Sequence, residues 1–91
     1  MLESDLAIVN KLGLHARASA RVVTLLSGYV SLATLECRGR AVNAKSLMGV
    51  MLLAAGPGAN VRLKLDGPDE AEAMSAAKSL FERGFDELES A

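Results

Sequence analysis

The chain has 91 residues, and its ten Lys plus Arg against eleven Asp plus Glu leave a net charge of −1, so no global basic field draws nucleic acid onto it. Apolar residues make up 51% and charged residues 23%, the balance of a chain that buries one core, which assigns residues 1–91 to a single domain. One cysteine, Cys37, and one histidine, His15, are too few for an intrachain disulfide or a zinc site, and they suit a reducing cytoplasm.

The run "LMGVMLLAA" is about half the length that a membrane-spanning helix requires. The acidic opening "MLESDL" lacks the basic region of a signal peptide, so neither membrane insertion nor export is expected. In chain order, "DLAIV" predicts a short strand and "NKLG" a turn, followed by a helix over Ala16–Ser27. On that helix Ala18, Val22, Leu25 and Leu26 form the apolar face, leaving Arg17, Ala20, Arg21 and Thr24 on the other side for partners.

After Gly28, "YVSLATLECRGRAVN" predicts two strands about a hairpin turn at Arg38-Gly39. Ala33 and Leu35 are expected inward, although Val30 and Leu32 fit the opposite phase. "SLMGVMLLAAGPG" then predicts a short helix capped by Ser46 and stopped by Gly56-Pro57-Gly58. One of its faces carries Gly49, Val50, Leu53 and Ala54, and the opposite one Leu47, Met48, Met51 and Leu52.

"NVRLKLD" alternates as a strand, with Val61, Leu63 and Leu65 on one side. "GPDEAEAMSAAKSLFERG" predicts a helix that opens at Pro68 and Asp69, closes at Arg83 and Gly84, and buries Ala73, Met74, Ala77, Leu80 and Phe81. This order of elements predicts an α+β open-faced sandwich, a mostly antiparallel sheet with its helices on one side.

His15 falls at the start of the first helix. A helix N-terminus presents free N–H groups and partial positive charge, which favour anions and disfavour a second positive charge on the ring. Arg17 acts in the same direction. A neutral imidazole in that setting is a nucleophile toward phosphorus, and its product would be held by the helix amides and the Arg17 guanidinium. Read alone, His15 is equally a turn or cap residue. No paired carboxylates or base-plus-nucleophile set accompanies it, so a carrier served by its partners fits better than an enzyme, and neither a cofactor nor a metal is implied.

Taken together, "NKLGLHARASA", "NAKSLMGVMLLAA" and "FERGFDE" resemble the histidine-containing phosphocarrier (HPr) family of the bacterial phosphoenolpyruvate phosphotransferase system, over almost the whole chain. The resemblance implies a four-stranded antiparallel sheet with three helices on one face. It also implies a relay in which enzyme I, charged by phosphoenolpyruvate, phosphorylates His15, and the group passes to a histidine of an enzyme IIA-type protein. His15 matches the family's phosphorylated histidine, with Nδ1 as the implied atom, and Arg17 its phosphate-supporting arginine. Ala18 stands where the family usually has proline, which predicts a looser helix start. The "NKLG" lead-in and "GFDE" ending resemble the nitrogen-related branch, which leaves the pathway open between that relay and sugar uptake.

Ser46 reads as an N-cap, and by resemblance it is also the serine modified by HPr kinase/phosphorylase. Leu47, Met48 and Met51 form an exposed patch expected near His15, where methionines adapt to several partners. Resemblance makes it the docking region for enzyme I and IIA proteins, with Arg17 and Arg21 facing acidic partner surfaces. A regulatory module that binds proteins without carrying phosphate is the main rival. One Tyr, two Phe and no Trp leave little for base stacking, so a nucleic-acid role is not expected. The chain is expected to be a monomer.

Overall fold

The structure is a computed structural model and describes residues 1–86. Its elements are β1 (Leu2–Ala7), α1 (Ala16–Ser27), β2 (Leu32–Cys37), β3 (Arg40–Asn43), α2 (Leu47–Leu52), β4 (Asn60–Asp66) and α3 (Glu70–Glu82), then a 3-10 turn at Gly84–Asp86. The alternation in "NVRLKLD" makes β4 a central strand, paired antiparallel with both β1 and β2, and β3 completes a four-stranded sheet in the order β1-β4-β2-β3. This is the expected α+β architecture.

Register brings Leu6 opposite Val61, Leu65 opposite Ala33, and Leu63 opposite Leu35, all buried on one face under the helices. The inward phase of β2 is therefore Ala33, Leu35 and Cys37, while Val30 and Leu32 are exposed. The other face is polar: Arg62 on β4 donates from Nε to the Asp5 carboxylate on β1 at 3.0 Å, which lowers the Asp5 pKa from its ordinary value.

The helices cover the sheet through Ala18, Val22 and Leu26 of α1, Val50 of α2, and Ala73, Met74, Ala77, Leu80 and Phe81 of α3. Leu25 is only partly buried, and the fully buried helical neighbour is Ser19 instead. Phe85, left in the chain ending by the sequence reading, is buried and meets Phe81 edge-on with ring centroids 4.7 Å apart.

Four element boundaries differ from expectation, each for a local reason. β1 begins at Leu2 and stops at Ala7, because Ile8 exchanges its hydrogen bonds with the turn before β4: its N–H donates to the Ala59 carbonyl at 2.9 Å, and its carbonyl accepts from Gly58 at 2.8 Å. β2 begins at Leu32 because the Val30 and Ser31 amides donate to the Asp69 carboxylate, at 2.9 and 3.0 Å. α3 begins at Glu70, and the Asp69 side chain makes no cap bond to its own helix. α2 ends at Leu52, ahead of Gly56, since Ala54 turns into the left-handed region at φ 49° and is exposed.

Candidate functional site

The loop between β1 and α1 is built on Asn10, a buried polar residue whose Nδ2 donates to the Gly13 carbonyl at 2.9 Å. Gly13 has φ 70°, and a Cβ on it would lie 2.7 Å from the Ala55 carbonyl oxygen and 2.8 Å from the Gly56 Cα. Only glycine fits, both for its backbone conformation and for the closeness of the two loops. The next residue, Leu14, is fixed at both ends: its N–H donates to the Ala55 carbonyl at 2.9 Å, and its own carbonyl accepts from the Ser19 hydroxyl at 3.1 Å.

His15 follows directly. It is the N-cap of α1, with φ −77° and ψ −177°, and its carbonyl accepts from Ser19 N–H at 2.8 Å to start the helix. Its Nδ1 accepts from the Arg17 N–H at 3.3 Å. An accepting ring nitrogen carries a lone pair, so the proton of the neutral ring sits on Nε2. The cap reading of His15 is thus correct, and it leaves the nucleophilic reading standing: the nitrogen that caps the helix is one with electrons to donate, aimed at an anion-favouring helix start.

Farther along α1, Arg17, Arg21 and Thr24 are exposed and Ala20 is half-buried, and all four line one open groove of about 470 Å³ between α1 and the end of α3, which His15 itself does not line. Arg83 at the far side donates to Asp86 at 2.7 Å; that hydrogen bond, with Arg21 adding a smaller attraction, draws the Asp86 pKa below its ordinary value. α1 packs against α2, and the Leu14–Ala55 bond joins the His15 loop to the residues just past α2. On α2, Leu47, Met48 and Met51 are exposed by 42%, 75% and 41%, so the apolar patch faces solvent as expected.

Ser46 is the α2 N-cap: its Oγ accepts from Gly49 N–H at 3.1 Å. Two arginines of the β2–β3 hairpin, passed over by sequence reading, hold the opposite end of α2. Arg38 Nη2 donates to the Leu53 carbonyl at 3.3 Å, and Arg40 Nη1 to the Leu52 carbonyl at 3.2 Å. A basic pair in and just after a turn gave no local sign of this, although cations commonly serve helix C-termini.

With this geometry in place, the comparison with known proteins is direct. A family model described as "PTS HPr component phosphorylation site" matches residues 2–83. The chain belongs to the HPr family of phosphotransferase-system phosphocarriers. It is 55% identical over 87 residues to the phosphocarrier protein HPr of Xylella fastidiosa, covering 96% of this chain and 98% of that protein. The HPr of Cupriavidus necator is 54% identical over 89 residues, covering 98% of this chain and 100% of its own. A crystal structure of HPr from Thermoanaerobacter tengcongensis, 42% identical, superposes with a TM-score of 0.93 over 97% of this chain and 99% of that one. The HPr match stops short of the Gly84–Asp86 turn, and Glu87, the last residue of the "FERGFDE" resemblance, lies outside the described residues.

Proposed function

We propose that His15 of this phosphocarrier accepts a phosphoryl group on Nδ1 from enzyme I and delivers it to a histidine of an enzyme IIA-type protein. The observation that carries the reading is the Arg17 N–H donated to His15 Nδ1 at the N-terminus of α1, in a chain of the HPr family. The Nδ1 electron pair attacks phosphorus as the bond from enzyme I's donor atom breaks, and that bonding pair returns to enzyme I. No proton is lost or gained on Nδ1. The dianionic product lies against the helix-start N–H groups, and the exposed Arg17 side chain supplies a charge-assisted hydrogen bond. Such a protein is a stoichiometric carrier rather than an enzyme, since its partners bring the rest of the machinery.

Docking falls to Arg17, Ala20, Arg21 and Thr24 on α1 together with Leu47, Met48 and Met51 on α2, which meet acidic and apolar partner surfaces respectively. Ser46 adds regulation: a phosphate placed there by HPr kinase/phosphorylase sits beside Leu47 and Met48 and hinders transfer from enzyme I, and regulatory proteins are further partners of the carrier. The carrier works as a cytoplasmic monomer without cofactor, nucleic acid or membrane insertion; no described helix is long and apolar enough to cross a membrane. Its pathway is sugar uptake or the nitrogen-related relay, which share this chemistry.

Incubation with phosphoenolpyruvate and each candidate enzyme I, followed by mass spectrometry, tests carrier status and pathway together. One acid-labile phosphoryl group on His15 is expected. If His15→Ala is labelled at the wild-type rate with an acid-labile product, the assignment fails.

A further inference from the structure

We propose that Arg38 is a positioning residue for His15, acting through the strained segment between α2 and β4. The inference rests on His15 being the phosphoryl acceptor. Arg38 lies in the tight β2–β3 turn at φ 51°, followed by Gly39 at φ 81°. From there its Nη2 sits between two successive carbonyls, Leu53 at 3.3 Å and Ala54 at 3.4 Å, and Arg40 takes the Leu52 carbonyl at 3.2 Å. The next carbonyl in the chain, that of Ala55, accepts the Leu14 N–H at 2.9 Å. Four consecutive carbonyls, Leu52 to Ala55, are thereby held in place, the first three by the hairpin arginines and the fourth by the residue before His15.

The middle of this segment is not a relaxed conformation. Ala54 is exposed and left-handed, with φ 49°, a state in which a Cβ crowds the backbone and which persists only where surrounding contacts impose it. Between the buried side chains of Leu53 and Ala55, the hydrogen bonds at hand are the Ala54 N–H to the Met51 carbonyl, at 3.1 Å, and the Arg38 guanidinium on the Leu53 and Ala54 carbonyls. Without the guanidinium, Ala54 can relax toward an ordinary backbone conformation and carry the adjoining Ala55 carbonyl with it. Gly13 has no slack to absorb that movement, since it packs so tightly on Ala55 and Gly56 that a Cβ would overlap both. The displacement passes to Leu14 and so to the Nδ1 geometry at the helix cap. Arg38 needs no contact with substrate or partner for this effect.

Arg38→Asn is the sharp variant, because Asn tolerates the left-handed position and Asn-Gly is the preferred pair for such a turn, so the hairpin survives while the guanidinium is lost. The free protein is read first, by hydrogen exchange of the Leu14 amide and the ¹⁵N shift of His15 Nδ1. Phosphoryl transfer from enzyme I follows. Arg38→Asn should raise Leu14 exchange at least tenfold with core amides of β4 unchanged, shift the Nδ1 resonance, and lower kcat severalfold at constant KM. Arg38→Lys, which still offers a cation to the carbonyls, should recover part of each effect. Unchanged Leu14 exchange overturns the proposal, whether transfer is normal or shows a raised, salt-sensitive KM, the mark of direct partner contact. A uniform rise in exchange across β4 overturns it equally, by reducing Arg38 to a general stabiliser. Failure of the His15 assignment itself shows separately, as absence of label on the wild-type residue.

Discussion

Asp69 directs its carboxylate across 38 positions of sequence to Ser31, accepting from the Ser31 N–H at 3.0 Å and from the Ser31 hydroxyl, while its second oxygen takes the Val30 N–H at 2.9 Å. These bonds, the Ser31 hydroxyl foremost, lower the Asp69 pKa from its ordinary value. A carboxyl held lower in the fold than in the unfolded chain adds stability in full above its unfolded pKa, about 3.9, and loses it as pH falls through the folded value. Asp69→Asn should therefore melt below wild type at neutral pH, with the gap closing on acidification below pH ~4. Calorimetry across that range checks it; a gap that stays constant with pH would separate the stabilisation from the charge.

At His15, cap and chemistry come apart on substitution. Asn is a good N-cap and Ala a poor one, so His15→Ala should lose about 1 kcal/mol of stability and His15→Asn much less. Both should abolish phosphoryl acceptance. Thermal melting beside phosphoenolpyruvate-dependent labelling distinguishes the two roles, and equal melting of the two variants would remove the cap from the stability of α1.

Arg17 is exposed, and on the proposed function the charge it serves develops only at phosphoryl transfer. Arg17→Ala should leave the melting curve in place and slow transfer by the equivalent of about 2–3 kcal/mol. Stopped transfer reactions with enzyme I in both directions give the measurement, and unchanged rates would take Arg17 out of the site.

Gly13→Ala should damage both fold and function. The added Cβ meets the Ala55 carbonyl at 2.7 Å in a backbone conformation that costs a non-glycine residue roughly 1–2 kcal/mol before any clash. A melting temperature equal to wild type would show that the β1–α1 loop and the segment after α2 are not locked together.

Ser46→Ala loses the Oγ bond to Gly49 and should cost about 1 kcal/mol of stability with near-normal transfer. Ser46→Asp keeps a capping oxygen and should melt normally, yet accept phosphate more slowly because charge now borders Leu47 and Met48. If Ser46→Asp is phosphorylated by enzyme I as fast as wild type, Ser46 is a cap alone.

What was legible beforehand follows from the range of each interaction. Alternation in "NVRLKLD" and the Arg38-Gly39 pair are local signals, and β4 and the hairpin formed where they indicated. α1 spans Ala16–Ser27 as its periodicity required. Asp69 was different: the sequence marks it only as the opening of a helix, and only tertiary packing offers its carboxylate Val30 and Ser31. Ser19 and Asn10 look like surface residues until Leu14 and Gly13 supply carbonyls for them in the interior. Ala54 carried no breaker signal, and the hairpin contact beside its left-handed turn, from Arg38 to the Ala54 carbonyl, is 16 positions away in sequence. At the candidate site, the motif around His15 singled out the ring for attention, whereas the geometry that holds it came from residues no motif contains.

On the proposed function, a loaded carrier cannot keep the side-chain cap that His15 Nδ1 gives α1 in the empty one. With phosphorus attached to Nδ1, the ring has no electron pair for the Arg17 N–H, which that nitrogen accepts at 3.3 Å when bare. A phosphoryl oxygen, one bond farther out, is the natural replacement, so cargo takes over from cap. Occupancy of Nδ1 would then be recorded in a single backbone proton, the Arg17 amide changing acceptor each time the group arrives or departs. The Ser19 N–H to His15 carbonyl bond that starts the helix does not involve the ring, so a recipient that removed the cargo would leave behind a ring able to resume its cap on a helix already begun.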